Sequence, residues 1–167
     1  GRTFDVSPEQ ISQAFAYDEK VFGRQEVIQL GAKKLTLILV KNPVGLNQVL
    51  SMIQTAKQPF GFAMLLNANY ADGIDTSWIW DGNFEEFVAS KKAADYLVGG
   101  ERYQDIALRL KVAGVPENKL TIKPDLGDVL TTLQEMPQQQ LYVLATYTAM
   151  LQLRKKLSDG GYIKGGF

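Results

Sequence analysis

Residues 35–53, "LTLILVKNPVGLNQVLSMI", decide the fold class. Leu35–Val40 is a run apolar at every position but Thr36, the pattern of a strand covered on both faces. Asn42 then supplies a cap and Pro43 a first helical position, and Leu46, Val49, Leu50 and Ile53 recur at the i, i+3, i+4, i+7 spacing of an amphipathic helix. The same alternation returns downstream. "GFAMLLNAN" (61–69) reads as a strand, "ADYLVGG" (94–100) as a strand before the helix "RYQDIALRLKVAG" (102–114), whose apolar face is Tyr103, Ile106, Ala107 and Leu110 and which closes on Gly114. "KLTIKP" (119–124) precedes "DLGDVLTTLQEM" (125–136), capped by Asp125, and "QLYVLAT" (140–146) precedes a last helix over about Tyr147–Ser158. Upstream, Val27–Leu30 is broken from the first long strand at Gly31 and predicts a hairpin.

Strands alternating with helices predict an α/β fold: a mostly parallel, Rossmann-like open sheet with helices on both faces and an antiparallel N-terminal hairpin. "SPEQISQAF" (7–15), with Ser7 as cap and Pro8 at the first position, predicts a short lead-in helix, and "DGGYIKGGF" (159–167) a Gly-rich tail. The opening "GRTF", in place of Met, reads as a piece of something longer. Lys+Arg and Asp+Glu balance at 18 each, so no global field recruits nucleic acid or an anionic membrane. No apolar run reaches the ~18 residues of a membrane span, which favours a cytoplasmic protein.

The chain has no His and no Cys, which removes the commonest general base and the thiolate nucleophile. Against that background "ADGIDTSWIWD" (71–81) gathers Asp72, Asp75, Asp81, Trp78 and Trp80 in eleven residues. It lies in the long connection from Asn69 to about Ala93, where most α/β connections span ~2–6 residues. The loops after Val40, Asn69, Gly99, Ile122 and Thr146 are expected to share the rim at the strand carboxyl ends, where ligands of such sheets gather.

Each residue has a local reading and a functional one. The three aspartates suit turns, with Asp75 before Thr-Ser as the cap of a helical turn; alternatively one of them orients a base supplied by another chain, because a triad acid need not share a polypeptide with the other two members. Their spacing is not that of a Ca²⁺ loop, and no metal site is expected. Trp78 and Trp80 are core packing or a partner interface. Lys41 and Asn42 are a helix cap or, with Asn69, neighbours of an anionic substrate or nucleotide. "NFEEFVASK" (83–91) offers Asn83 as a cap, and "RLKVAGVPENK" (109–119) reads as an exposed helix end and turn.

"FGRQEVI" (22–28), "VKNPVGLNQVL" (40–50), "NANYADGIDTSWIWD" (67–81), "GGERYQDIALRLKVAGV" (99–115) and "YTAMLQLR" (147–154) together resemble the C-terminal domain of the MurT family, the Mur-ligase-like subunits of lipid II isoglutaminyl synthase. The resemblance covers about Phe22 to Leu157. It implies that residues 1–20 are a lead-in helix or linker from a central domain and that 21–167 form a Mur-ligase-like C-terminal domain. It further implies a bacterial ligase that amidates the D-glutamate α-carboxyl of the lipid II stem peptide at the inner face of the membrane. A GatD-type glutamine amidotransferase partner would release ammonia with its own Cys and His, and ATP and Mg²⁺ would activate the carboxylate in the full-length enzyme, with no cofactor expected on this domain alone. In this family an aspartate of the C-terminal domain is thought to complete the partner's Cys–His pair. The role carries onto Asp75 first, Asp72 next and Asp81 last.

The pattern also departs from its relatives. Where related Mur ligases read Asp-Tyr-Ala-His-Asn-Pro, this chain reads "ILVKNP" (38–43), with Lys41 in place of the His and Ile38 in place of the Asp, which puts nucleotide contacts from that loop in doubt. The family's ATP loop and four-cysteine zinc ribbon have no counterpart in this sequence. Two other readings stand beside the leading one: a structural domain that only closes the ligase site, and a self-standing nucleotide-binding module.

Overall fold

The computed structural model describes residues 25–73 and 75–163 of the 167; the expected lead-in helix at 7–20 and the last four residues of the tail lie outside them. Gln25–Leu30 (β1) and Lys33–Leu39 (β2) form the hairpin, turned at Gly31 with φ of 63°. Then follow helix α1 (Pro43–Ile53), β3 (Phe60–Leu65), 3-10 turns at Tyr70–Asp72 and Ser77–Asp81, α2 (Phe84–Ala89) and β4 (Ala93–Gly99). Helix α3 (Tyr103–Ala113), a 3-10 turn at Glu117–Lys119, β5 (Leu120–Ile122), α4 (Leu126–Glu135), β6 (Gln140–Ala145) and α5 (Tyr147–Asp159) complete the described chain.

One six-stranded sheet runs in the order β1-β2-β6-β3-β4-β5. The β1–β2 pair is antiparallel and every other pair is parallel. The side chains of β3 show why its sequence is continuously apolar: Phe60, Phe62 and Met64 enter the core under α1, α2 and α3, while Ala63 and Leu65 enter the opposite core under α4 and α5. Phe62 meets the Phe87 ring of α2 at 4.8 Å between centroids. On the other face Leu153 and Leu157 of α5 and Val129 and Leu133 of α4 pack on Leu35, Leu37 and Val143.

Local expectations hold except in detail. Asn42 caps α1 by accepting the Gly45 N–H at 2.8 Å, and Asp125 caps α4 by accepting the Gly127 N–H at 2.9 Å. Asn83 stands at the cap position of α2 but makes no capping bond; its own N–H donates instead to Asn47 Oδ1 of α1 at 2.7 Å. The strand expected over 61–69 stops at Leu65, because Asn67 turns its backbone and side chain into neighbouring loops.

The connections from β2 through β5 carry α1, α2 and α3 on one face, and α4 returns on the other to deliver β6 between β2 and β3. The loops leaving β3 and β6 therefore diverge to opposite faces. That is the topological switch point, where open α/β sheets place their crevice.

Candidate functional site

At the switch point Asn67, two residues beyond β3, bonds to Thr146, the first residue beyond β6. The Asn67 N–H donates to Thr146 Oγ1 at 2.9 Å, and Asn67 Oδ1 accepts the Glu101 N–H at 2.8 Å. Thr148, in the first turn of α5, uses its whole hydroxyl: it accepts from Asn67 Nδ2 at 2.9 Å and from Asn69 Nδ2 at 3.1 Å, and it donates to Asp72. Asp72 also accepts the Thr148 backbone N–H at 2.6 Å and the Asn69 N–H at 3.0 Å. A helix N-terminus leaves orphan N–H groups and partial positive charge, which favour an anion. Here the anion at the start of α5 is the chain's own Asp72.

Beyond Asp72 the connection crosses to the other face and settles on α3. Thr76 Oγ1 donates to Asp105 at 3.2 Å. One helical turn on, Arg109 is 2% exposed and spends its guanidinium on the same segment. Its Nε donates to the Ile79 carbonyl at 3.0 Å and one terminal nitrogen to the Gly82 carbonyl at 2.9 Å, while both terminal nitrogens grip Glu85 at 2.7 and 2.8 Å. The Trp80 and Phe84 rings each lie 5.1 Å from the guanidinium carbon. Those bonds hold the Glu85 carboxyl down to about 2, from an ordinary value of 4.5. The segment read from sequence as an exposed helix end therefore begins with the most deeply buried charge among the described residues. From α1, Asn47 adds a bond from Nδ2 to the Asp81 carbonyl at 3.5 Å.

The three aspartates thus differ in kind. Asp72 is oriented but its bonds are internal. Asp81 is exposed, and no hydrogen bond or ion pair with a described residue orients its carboxylate. Asp75 is both exposed and oriented: Oδ1 accepts the Ser77 N–H at 3.0 Å and Oδ2 accepts the Ser77 hydroxyl at 2.8 Å. It stands one residue before the cap position, which Thr76 holds without a side-chain bond, so Asp75 makes a local turn and not the helical cap expected of it. These bonds, the backbone one first, hold its carboxyl below the ordinary value of 3.8. Trp78 packs half-buried against the core beneath α1–α3, whereas Trp80 is 46% exposed. Lys41 is exposed at the end of β2, and neither it nor the capping Asn42 bonds to the Asp72 network.

Residues 39–150 match the family model described as MurT ligase C-terminal. This chain belongs to that family. It is 46% identical over 158 residues to the MurT subunit of lipid II isoglutaminyl synthase (glutamine-hydrolyzing) of Streptococcus pneumoniae R6, covering 95% of this chain and 35% of that protein. To the MurT subunit of the same synthase from Staphylococcus aureus COL it is 29% identical, over 96% of this chain and 37% of that protein. The MurT ligase C-terminal chain thus spans about a third of the length of these curated relatives. Among solved structures, a folylpolyglutamate synthase from Thermotoga maritima aligns with a TM-score of 0.54 at 13% identity, over 85% of this chain and 32% of that one, a likeness of fold alone. The MurT-family sheet carries the Asp72 network, the Arg109 clamp and the Asp75 turn on and beside one rim.

Proposed function

We propose that this domain belongs to the ligase subunit of a lipid II isoglutaminyl synthase and that Asp75 completes the active site of a glutaminase partner of the GatD type. The observation that carries the reading is that Asp75 alone among the three aspartates is both exposed and held in one direction. A triad acid must be ionised, aimed, and open to the imidazole it orients. Each Asp75 oxygen has one lone pair engaged by Ser77 and one left to accept an imidazole N–H. The depressed carboxyl keeps it an anion at the pH where such an imidazole works. The ammonia released would then serve amidation of the lipid II stem peptide by the complete ligase. Trp80, exposed beside the turn, supplies the aromatic anchor for docking.

The resemblance assigns ATP and Mg²⁺ to the full-length enzyme, and we place their site outside the α5 N-terminus of this domain. The α5 N-terminus already holds Asp72, whose charge opposes a phosphate there. Among the described residues no group of three His, Cys, Asp or Glu side chains is placed to hold a metal ion. No helix among the described residues is long and apolar enough to cross a membrane; we place the ligase on the cytoplasmic side, where its lipid substrate would be made.

Asp75→Asn in the assembled complex tests the reading. Glutamine hydrolysis should fall by two or more orders of magnitude, on the order of the loss when a triad acid is made an amide, with assembly intact by sedimentation. Wild-type turnover in that variant overturns the role of Asp75.

A further inference from the structure

Hydrogen bonds with α3 and α1 hold the segment that follows Asp75, four of them from one side chain. Thr76 is tied to Asp105, the Ile79 and Gly82 carbonyls and the Glu85 carboxylate to Arg109, and the Asp81 carbonyl to Asn47. The bonds to Arg109 take the middle of the 3-10 turn Ser77–Asp81, at Ile79, and the residue just past its end, Gly82; the turn's first residue, Ser77, supplies both donors that aim Asp75. Burying a guanidinium is costly unless every donor is used and its charge is met. Here the donors go to the middle and the far end of a surface turn, so the buried charge fixes a loop that exposes Ser77 and Trp80 while Ile79 is buried beneath it.

We propose that Arg109 is a positioning residue for Asp75: it fixes the Ser77–Asp81 turn, and through Ser77 the direction of the Asp75 carboxylate, without touching the reacting atoms. This rests on the assignment of Asp75 to the partner's triad. A misplacement of about 1 Å at a reacting geometry costs up to about a hundredfold in rate, so a turn left to wander would forfeit much of what the acid supplies. Lysine keeps the charge at position 109 but has no planar fork to span two carbonyls and a carboxylate.

The test is a double-mutant cycle in the full-length ligase subunit with its glutaminase partner, at saturating ligase subunit. Arg109→Lys should lower kcat for glutamine hydrolysis at least about tenfold with KM for glutamine within about twofold, because aim is lost and the glutamine pocket is not. In the Asp75→Asn background the same substitution should change kcat less than about twofold, since a residue acting only through Asp75 has nothing further to lose. Full turnover in Arg109→Lys, or equal losses in both backgrounds, overturns the proposal. An unaffected Asp75→Asn protein overturns instead the functional reading beneath it. If Arg109→Lys does not fold, the cycle is run with Glu85→Gln, which loosens the same clamp from its exposed end; a loss confined to the Asp75 background supports the proposal, and no loss or an additive one overturns it.

Discussion

The Asp72 carboxylate accepts the Thr148 backbone N–H at 2.6 Å across 76 positions of sequence, so the cap of the last helix comes from the loop after the third strand. Three donors converge on that carboxylate. Asp72→Asn turns an amide NH₂ toward N–H and O–H groups that have no other acceptor in the network. Hydrogen bonds to a charged group contribute about 1.5–3 kcal/mol, so the variant should lose about 2 kcal/mol in denaturant unfolding. Asp75→Asn, on an exposed turn, should stay within about 0.5 kcal/mol of wild type. Equal losses in the two variants would show that Asp72 is no more structural than its neighbour.

The Glu85–Arg109 pair makes an acid-side prediction. Glu85 titrates at about 2 when folded and at its ordinary 4.5 when unfolded. The unfolded chain therefore binds the extra proton in that interval. The pair's contribution is complete above about pH 4.5 and disappears as pH falls toward 2. Glu85 is more than half exposed, so solvent screening limits the contribution to about 1 kcal/mol or less. The difference in melting temperature between wild type and Glu85→Gln, measured from pH 6 down to about pH 2, should shrink across that window. A constant difference would place the Glu85 contribution outside the ion pair.

The fold was legible because its signals are local. The stripe Leu46, Val49, Leu50, Ile53 and the two-sided strands report period and burial directly, and all four stripe residues are buried. The insertion of β6 between β2 and β3 was not legible, since pairing order is a long-range choice among similar apolar strands. Nor were the two clamps. Asp72-Gly73 looks like any turn dipeptide, and its partner Thr148 lies in another element. Position 109 falls roughly 60° round the helix from Ile106, where an arginine ordinarily leaves its head in water. Two of its partners are backbone carbonyls, which have no signature in sequence. By contrast the Asp75–Ser77 bonds span two residues, the range over which an aspartate's turn chemistry can be read from sequence.

Gly100 and Gly73 both have positive φ, at 97° and 84°, yet they answer to different constraints. A Cβ on Gly73 meets nothing within 4 Å, whereas one on Gly100 would lie 2.6 Å from the Leu66 carbonyl oxygen and 2.9 Å from Asn67 Oδ1. Gly73→Ala should cost about 1 kcal/mol from backbone conformation alone. Gly100→Ala adds a clash with the backbone that seats Asn67 and should cost about 3 kcal/mol or more. Urea unfolding of both variants checks the order. A Gly100→Ala protein as stable as Gly73→Ala would mean that the rim can widen freely at Asn67.

The two tryptophans should separate stability from docking. Trp78 is packed against the core, so Trp78→Ala removes buried ring area and should cost about 2–4 kcal/mol in unfolding. Trp80 is nearly half exposed and covers the Arg109 guanidinium, a contact that contributes about 0.5–1 kcal/mol at an exposed site. Under the proposed docking, exposed aromatic area beside Asp75 is anchor surface, and truncating such an anchor commonly costs 2 kcal/mol or more, a roughly 30-fold loss of affinity. Trp80→Ala should therefore leave the melting temperature within a few degrees while weakening association with the glutaminase subunit by at least about tenfold. Titration calorimetry between purified subunits measures this. If Trp80→Ala binds as wild type while Trp78→Ala only unfolds more easily, the partner does not rest on this turn, and Asp75 could not reach an active site carried by that partner.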